Sequence, residues 1–547
     1  RHPTPHPANP ITPVRISLPA RAAGLLGLAL GLLALAAPPA AAQQRPSLAQ
    51  LEDEVRREAA SLAKLTQVMV DMIFSFSELG YQEEWTSEYV TDILRREGFR
   101  IEKGVAGMPT AFVASWGSGK PVIGFMADID GLPETSQRPG VPYHDPLIPG
   151  GPGHGEGHNA GQALQVTAAI AVKRVMERHG LPGELRVYPG VAEELIGSRT
   201  YMVNAGLFRD LDAMLSAHIS SRTATSWGLS GSGLVSTLFT FRGRSAHSAG
   251  SPWSGRSALD AVELMNIGWN YRREHLRLQQ RSHYVIPNGG SQPNVVPSEA
   301  TVWYYFRELD YERIKELHEI GRTIARAAAD MTGTTVEERV FGAAWPSHFN
   351  RPIAERQHRH ILTVGHPRWS DADIALAKAA QRELGVPERG LHAAPDTTLR
   401  ESQQGMGGGS DDIAEVSWNV PTVNLRYAAN IPGMTGHHWS SAIDMATPIA
   451  QKGTNHGAQI QAMTAIDLIA DPQLLADAKA YFAEQTRETK WQSLIPPGTE
   501  PPTFLNAERM SRFRPELLKL RYDPERFDTY LEQLGVDYPT LGRRASQ

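Results

Sequence analysis

Residues 122–133 read Val-Ile-Gly-Phe-Met-Ala-Asp-Ile-Asp-Gly-Leu-Pro. The continuous apolar run over 122–127 predicts a strand that is buried on both faces, which is typical of a parallel sheet covered by helices. The run ends at Asp128 and Asp130, and the two-residue period of a strand puts both carboxylates on one face. Because open α/β sheets place their ligands at the carboxyl ends of the strands, this stretch predicts a site at that edge of the sheet.

Other candidate site residues follow predicted strands in the same way. Strands predicted over 184–188 and 211–215 lead into Glu193-Glu194 and into His218. The segment 153–159, Gly-His-Gly-Glu-Gly-His-Asn, is predicted to be a loop that feeds a helix over 163–179, and its glycines let Glu156 and His158 reach a common centre. Taken singly, such features are more often a flexible turn, solvated carboxylates and a core histidine. Their coincidence at successive strand ends favours a site.

The order of predicted elements gives the domain organisation. A chain of 547 residues is expected to divide into two or three domains. The alternation of helices and strands predicts an α/β domain with a mostly parallel sheet, in two parts over 43–225 and 342–485. Between them, a β-α-β-α order over 226–341 predicts a small inserted α/β sandwich. Residues 486–547 are Pro-rich and charged, and are predicted to form a C-terminal tail that either wraps around the protein or hangs free.

The first 42 residues have the parts of a secretory signal peptide. Arg15 and Arg21 precede an apolar run over 22–37, and Ala40-Ala41-Ala42 supplies a cleavage site of small residues. We therefore expect cleavage after Ala42 and export, to the periplasm or outside the cell. The alternative is an uncleaved membrane anchor, but a run of about 16 residues is short for a bilayer, and no stable anchor is expected.

Composition excludes some classes of partner and of scaffold. The formal charge is −5 and no block of basic residues is present, so the sequence argues against nucleic-acid binding. The chain has no cysteine, which excludes both a disulfide framework and lipid attachment through cysteine.

The motifs together resemble a known group of enzymes. In order along the chain they are Asp-x-Asp-Gly-Leu-Pro, Gly-His-Gly-Glu-Gly-His-Asn, Ala-Glu-Glu at 192–194, Ala-His at 217–218, Gly-Arg-Ser-Ala-His at 243–247 and Pro-Asn-Val-Val-Pro at 293–297. This series is similar to the aminoacylase and glutamate-carboxypeptidase-like metallohydrolases. Within that group it most resembles the p-aminobenzoyl-glutamate hydrolase and auxin-conjugate amidohydrolase type, over roughly residues 50–500.

The resemblance implies a dinuclear metal site at the sheet edge. It assigns the metal-ligand positions to Glu156, His158, Glu194, His218 and His437. It makes Glu193 the general base and acid, and it implies that Asp128 and Asp130 orient ligands without binding metal. Oxygen and nitrogen donors suit two divalent ions, zinc before manganese or cobalt.

The resemblance also implies a role for the inserted domain, as a lid through which two chains form a homodimer. His247 would reach a neighbouring active site and stabilise the oxyanion, while Asn294 and Arg307 would bind the carboxylate or carbonyl of a substrate. For Arg307 a surface salt bridge is an equal alternative.

Two positions depart from the pattern of the family. Relatives of the auxin-conjugate type usually have Cys at the position of Glu156, so this chain offers a carboxylate in place of a thiolate, or else a weakened second metal site. The family's His-Ser-Trp appears here as His437-His438-Trp439. If the loop were shifted by one residue, His438 would be the ligand instead of His437.

The expected reaction is hydrolysis of the amide bond of an N-acyl or N-aroyl amino acid, such as a p-aminobenzoyl-glutamate-like small molecule. A metal-bound hydroxide would attack the carbonyl and Glu193 would move the proton. The alternatives are a dipeptidase or carboxypeptidase with the same machinery, and an exported non-catalytic relative whose metal site has decayed.

Overall fold

The structure is a computed structural model that describes residues 46–405 and 409–542. The predicted signal peptide lies outside the described residues. The helices are α1 (Leu48–Ser61), α2 (Ala63–Phe76), α3 (Glu84–Arg96), α4 (His158–His179), α5 (Arg199–Asn204), α6 (Ala258–Arg272), α7 (Tyr311–Thr332), α8 (Arg351–Val364), α9 (Asp371–Glu383), α10 (Ile413–Ser417), α11 (Pro448–Ala470), α12 (Pro472–Gln485), α13 (Ala507–Leu520) and α14 (Tyr530–Gln533). The strands are β1 (Arg100–Lys103), β2 (Phe112–Ser118), β3 (Val122–Asp128), β4 (Gly183–Gly190), β5 (Ala213–Ser220), β6 (Ala224–Ser230), β7 (Gly233–Arg242), β8 (Arg281–Asn288), β9 (Glu299–Glu308), β10 (Thr335–Ala344), β11 (Ser347–Phe349), β12 (Arg400–Glu401) and β13 (Thr422–Ala428).

The larger sheet has nine strands in the order β1-β2-β4-β3-β5-β13-β6-β11, with β12 beside β6. Strands β4, β3, β5 and β13 are parallel, and antiparallel strands extend the sheet at both edges. The chain runs from β3 to β4 on one side and then crosses to β5 on the other. The carboxyl end of β3 is therefore a topological switch point, where α/β sheets open a crevice.

Strand β3 is buried along its whole length, which confirms the prediction from its apolar run. Ile123 and Phe125 face a core formed with α1, α2, α4 and α11. Val122 and Met126 face a second core that includes residues of α5 and α10. Both faces of the sheet are covered, so a continuous apolar strand is the pattern that this position requires.

Two helices differ from the predicted bounds. The predicted helix over 48–76 is bent by 52° at Leu62 into α1 and α2, and both helices pack on the same core. The apolar periodicity continues through the bend and so does not reveal it. Helix α4 begins at His158 rather than at residue 163, after Gly157, which has a φ of 78°. Its first turn is polar yet buried, so hydrophobic periodicity does not reveal it.

The smaller sheet is antiparallel, in the order β10-β7-β9-β8, and carries α6 and α7 on one face. We call this unit, residues 233–344, the lid. Its core consists of aromatic side chains, among them Phe239, Trp269 and Tyr304. The structure adds β8 and β10 to the predicted β-α-β-α order. Sequence reasoning missed strand β8 because none of its residues is buried and its sequence, with Pro287 near the end, lacks a regular apolar face.

The C-terminal segment packs on the α/β domain. The backbone N–H of Tyr530 donates to Asp71 Oδ2 at 3.1 Å, and that of Tyr522 donates to Ser75 Oγ at 3.1 Å. Met510 and Tyr530 are fully buried. Of the two alternatives for this segment, the structure shows wrapping.

No single helix within 46–405 and 409–542 has the length and apolar composition needed to cross a membrane. The bent pair α1 and α2 meets both criteria only when the two helices are taken together.

Candidate metal centre and active site

The site lies at the carboxyl ends of β3, β4 and β5, where the sequence predicted it. Asp128 ends β3, His218 lies near the end of β5, and a short 3-10 helix, Glu193–Leu195, follows β4. The turn before it is fixed by Ala192, whose φ is 49° and whose N–H donates to the buried Glu83 at 2.8 Å. These contacts hold the two adjacent carboxylates at the switch point of the sheet.

One group of possible metal ligands consists of Glu156, Glu194 and His437. His437 Nε2 lies 2.5 Å from Glu156 Oε2 and 3.4 Å from Glu194 Oε2. One ligand atom from each residue lies within 4.8 Å of the others, so the three can share a single cation. His438 instead makes a local contact, between its Nδ1 and Ser440 Oγ at 2.9 Å. The geometry therefore places His437, and not His438, among the possible ligands.

A second group consists of His158, His218 and Asp128, again with ligand atoms within 4.8 Å of one another. His158 Nε2 lies 3.9 Å from Asp128 Oδ2, and the rings of His158 and His218 are 5.8 Å apart between centroids. His218 Nε2 is 3.7 Å from Glu156 Oε1, which joins the two groups. The resemblance implied only an orienting role for Asp128, whereas the geometry also makes it a possible ligand.

Asp130 has contacts that suit an orienting role. His158 Nδ1 lies 3.0 Å from the carbonyl oxygen of Asp130 and 3.2 Å from its Oδ1. Asp130 Oδ2 accepts a hydrogen bond from the backbone N–H of Glu194 at 3.1 Å. Asp130 therefore directs Nε2 of His158 toward the cluster and fixes the backbone of a second ligand position.

Glu193 is buried, and its carboxylate lies within 4.8 Å of possible ligand atoms of His158 and Glu194 on one side and of Asp411 and Asp412 on the other. Burial, and then the negative charges of Asp411 and Asp128, raise its pKa well above the usual range of a carboxyl group. Burial and the neighbouring Glu156 also raise the pKa of Glu194, to about 8. Strongly shifted carboxyl groups in a cleft are typical of acid–base sites.

The pKa values of Glu156 and His437 move apart because the two side chains are hydrogen-bonded. Burial acts to raise the pKa of Glu156, but the bond to His437 and the nearby His218 lower it overall. The same hydrogen bond raises the pKa of His437 to about 9. Without a cation the two side chains therefore form an ion pair.

The residues fit divalent cations. The side chains of Asp128, Glu193 and Glu194 are crowded together with little access to water, an arrangement that costs free energy unless positive charge offsets it. Among the described residues, the buried atoms His158 Nε2 and Glu194 Oε1 have no hydrogen-bond partner. Both atoms belong to residues of the groups above, and a cation bound to each of them would satisfy it.

Part of the negative charge is offset by Arg199, which is fully buried. Its guanidinium forms ion pairs with Asp128, Asp411 and Asp412, the one to Asp411 at 3.2 Å. Arg199 thus ties the end of β3 to the loop before α10.

The metal-ligand groups open into a cavity of about 340 Å³ that lies between the sheet edge and the lid, which we call the metal cavity. Its wall includes Glu156, Glu193, Glu194, His218 and His437 from the catalytic domain and Arg307 from the lid. Arg307 Nη1 donates to Ser410 Oγ at 2.9 Å, and none of the described carboxylates forms an ion pair with it. The structure thus places Arg307 at the cavity rather than in a surface salt bridge.

The two other lid residues lie elsewhere. His247 is exposed, and its Nδ1 accepts the backbone N–H of Gly250 at 3.1 Å, which leaves Nε2 facing outward. Asn294 lies next to it, since its carbonyl accepts the N–H of Ser248 at 3.1 Å. Within the described chain neither residue lines the metal cavity.

Sequence reasoning missed Arg199, Asp411 and Arg426. Arg426 lines the metal cavity from β13, directly across from His218 in the paired strand β5. A signal was present, because Arg426 is the one charged residue in the otherwise apolar and polar stretch Thr422–Ala428. For Arg199, a charged residue at the start of a short helix, no sequence signal distinguishes a buried ion pair from a surface position.

Known proteins are similar to this chain in sequence and in fold. The M20 peptidase dimerisation domain matches residues 230–331, the region of the lid. Over 465 residues the chain is 32% identical to a subunit of the p-aminobenzoyl-glutamate hydrolase of Escherichia coli (strain K12), covering 79% of this chain and 95% of that protein. It is 27% identical over 441 residues to the Xaa-Arg dipeptidase of Homo sapiens, covering 77% and 90%.

A solved structure gives the same fold. The crystal structure of an aminobenzoyl-glutamate utilization protein from Klebsiella pneumoniae has a TM-score of 0.52 at 17% identity, covering 77% of this chain and 99% of that one. The fold class and the resemblance predicted from the motifs are confirmed. The chain belongs to the M20 family of peptidases and amidohydrolases, and it is a hydrolase of amide bonds.

Proposed function

We propose that this protein hydrolyses the amide bond of N-acyl or N-aroyl amino acids with the help of two divalent metal ions. One observation carries the proposal: two groups of oxygen and nitrogen ligand atoms, each within 4.8 Å, adjoin the buried carboxylate of Glu193. The name of the Escherichia coli relative, a p-aminobenzoyl-glutamate hydrolase, supports an N-aroyl amino acid as substrate.

Glu156, Glu194 and His437 would hold one ion, and His158, His218 and Asp128 the other. Bound at these positions, two divalent ions would polarise the amide carbonyl and lower the pKa of a coordinated water. A donor set of carboxylates and imidazoles without thiolate suits zinc first, and manganese or cobalt next.

Glu193 would move the proton. A carboxyl group with a raised pKa accepts a proton readily and can release it later to the departing amine nitrogen. Its neighbours Asp411 and Asp412 are held by Arg199, so Glu193 is the carboxylate of this group left without an arginine partner among the described residues.

Arg307 would bind the carboxylate of the amino-acid part of the substrate. It lines the metal cavity from the lid, and its hydrogen bond to the hydroxyl of Ser410 measures 2.9 Å. A guanidinium can bind a carboxylate through two parallel hydrogen bonds, which positions the scissile bond as well as the ligand.

The protein would work as a homodimer joined through the lids. Strand β8 lies at one edge of the lid's sheet. The lid also exposes large apolar side chains, namely Ile267, Tyr271, Leu278, Val285 and Ile286. An exposed strand edge beside an apolar patch favours pairing with another chain. The position of His247 and Asn294 outside their own cavity agrees with a role in the site of the partner.

A substrate screen tests the proposal. We expect the purified, zinc-loaded protein to hydrolyse N-benzoyl and N-(p-aminobenzoyl) amino acids faster than unblocked dipeptides. The second candidate is a dipeptidase, which the Xaa-Arg dipeptidase relative favours; cleavage of dipeptides alone would select it. A protein that retains no metal after loading and hydrolyses none of these compounds would select the non-catalytic alternative with a decayed metal site.

We also propose export, on the signal-peptide pattern of residues 1–42. N-terminal sequencing of the mature protein is expected to begin at Gln43. A protein that keeps residues 1–42 would contradict this.

A further inference from the structure

We propose that a polar cavity beyond Arg426 binds a second anionic group of the substrate, and that Arg426 selects substrates that carry it. This inference rests on the proposed amide hydrolysis. It assigns a further binding site, and a residue that determines specificity, to a part of the protein for which the motifs predicted no role.

The second cavity measures about 250 Å³ and adjoins the metal cavity. Arg426 and Asp411 line both, so they stand where the two cavities meet. The inner wall carries Ser230, Ser232, Ser347 and Asn424. A space lined by hydroxyl and amide groups with a guanidinium at its entrance suits a carboxylate or a similar anion.

Arg426 is available for such an anion. None of the carboxylates in the described ranges lies within ion-pair distance of it, and its guanidinium hydrogen-bonds to His218 Nδ1 at 2.8 Å. That bond is incompatible with metal binding. If His218 binds a cation through Nε2, its Nδ1 carries the proton and donates, as the carbonyl of Ile219 at 3.1 Å allows. The guanidinium must then find another acceptor.

Asp411, which also lines both cavities, does not supply that acceptor. Asp411 Oδ1 already accepts from Arg199 at 3.2 Å and from the N–H of Ile413 at 2.8 Å. Asn424 is 5% exposed, and its Oδ1 has no hydrogen-bond partner among the described residues. A carboxylate would accept from Arg426 directly, and a water between it and Asn424 could donate one hydrogen to the carboxylate and one to Asn424 Oδ1.

Arg307 and Arg426 face the metal cavity from different domains, the first from the lid and the second from β13. Neither is in an ion pair within the described chain. A substrate with two carboxylates would bind to both arginines. The two carboxylates would lie on opposite sides of the scissile bond, or both would belong to the leaving amino acid. The second carboxylate therefore belongs either to the side chain of the amino acid or to the acyl group.

Paired substrates test the inference and separate the two sources. N-benzoyl-glutamate and N-benzoyl-glutamine differ only in a side-chain carboxylate. An N-succinyl amino acid and its succinamide differ only in a carboxylate on the acyl group. For one of the pairs we expect kcat/KM to favour the acid by about 10- to 100-fold, the range of a hydrogen-bonded charge.

The ratio within that pair is then measured for Arg426→Gln. We expect the ratio of kcat/KM for the acid to that for the amide to fall toward one. This ratio is informative because a general loss of activity or of metal affects both substrates equally. Arg222→Gln is the matched control, because Arg222 also donates to a histidine, His392 at 2.9 Å, but lines neither cavity. An unchanged ratio in Arg426→Gln, or no preference for an acid in either pair, would overturn the inference.

Binding gives a second readout that does not need turnover. In the zinc-loaded Glu193→Gln protein, calorimetry should show tighter binding of the preferred acid than of its amide, and Arg426→Gln should abolish the difference. Equal binding of acid and amide would contradict the role of Arg426 but would not count against the proposed hydrolysis. Failure of the wild type to hydrolyse any of the four compounds would instead count against the proposed function, and against the inference with it.

Discussion

Glu193 lies between the possible metal ligands and the loop of Asp411 and Asp412 that Arg199 holds, and the proposed mechanism depends on its proton. We predict that Glu193→Gln keeps its metal but lowers kcat by about 10²- to 10⁴-fold, because the amide has nearly the same shape but cannot carry the proton. Steady-state kinetics together with metal analysis of the same preparation check this.

The adjacent Glu194→Gln is the contrasting variant. Its carboxylate is placed among the ligand atoms, so this change should lower metal content as well as activity. If Glu193→Gln retains a near-normal rate, or if it is the variant that loses metal, the two roles are wrongly assigned.

Arg199 gives a prediction for stability. In the metal-free protein, replacing it with Met leaves Asp128 and Asp412 buried without a cation, and we expect a loss of about 3–5 kcal/mol in the free energy of unfolding. Arg242→Met is the control. It breaks an exposed pair with Glu299, and such pairs contribute only about 0–1 kcal/mol. Equal losses of the two variants in urea denaturation would contradict the role given to Arg199.

At the scale of elements, the C-terminal segment is attached partly through the buried Glu415 of α10. Its Oε1 accepts the N–H of Trp345 at 2.7 Å, and its Oε2 accepts Nε1 of Trp491 at 2.5 Å. Burial raises the pKa of Glu415 to about 8 from 4.5. The folded state therefore binds the proton more tightly than the unfolded state, and this contribution to stability is lost as pH rises from 4.5 through about 8.

We predict that Tm of the wild type falls by roughly a few degrees across that window, and that Glu415→Gln shows a smaller fall. The variant loses one hydrogen bond, which lowers its Tm by an amount that does not depend on pH. The slope of Tm against pH is therefore the quantity to compare. Equal slopes in the two proteins would show that Glu415 is not the titrating group.

Local sequence accounts for the strand ends but not for the contacts between them. The apolar run before Asp128 and the polar residues after β4 and in β5 predicted where the site lies, because a buried parallel strand must end at the sheet edge. The bend at Leu62, the early start of α4 at His158 and the pairing of Arg426 with His218 depend on packing between segments far apart in sequence. The hydrophobic periodicity of the sequence gives no information about such contacts.

At the scale of the whole molecule, the position of His247 predicts that each active site needs two chains. We expect His247→Ala and Glu193→Gln each to be nearly inactive alone. Mixing them under conditions that exchange subunits should recover about a quarter of wild-type activity, since half of the dimers are mixed and each of those has one intact site. No recovery in dimers shown to have exchanged would mean that His247 does not act across the interface.

The central claim is that this chain is a metal-dependent amide hydrolase, and one titration tests it most directly. Protein stripped by a chelator is titrated with zinc while hydrolysis of an N-aroyl amino acid is followed. We predict no activity without metal and a rise that saturates at about two ions per chain, in proportion to the two groups of ligands. Full activity in the stripped protein, or no activity with both ions bound, would contradict the claim.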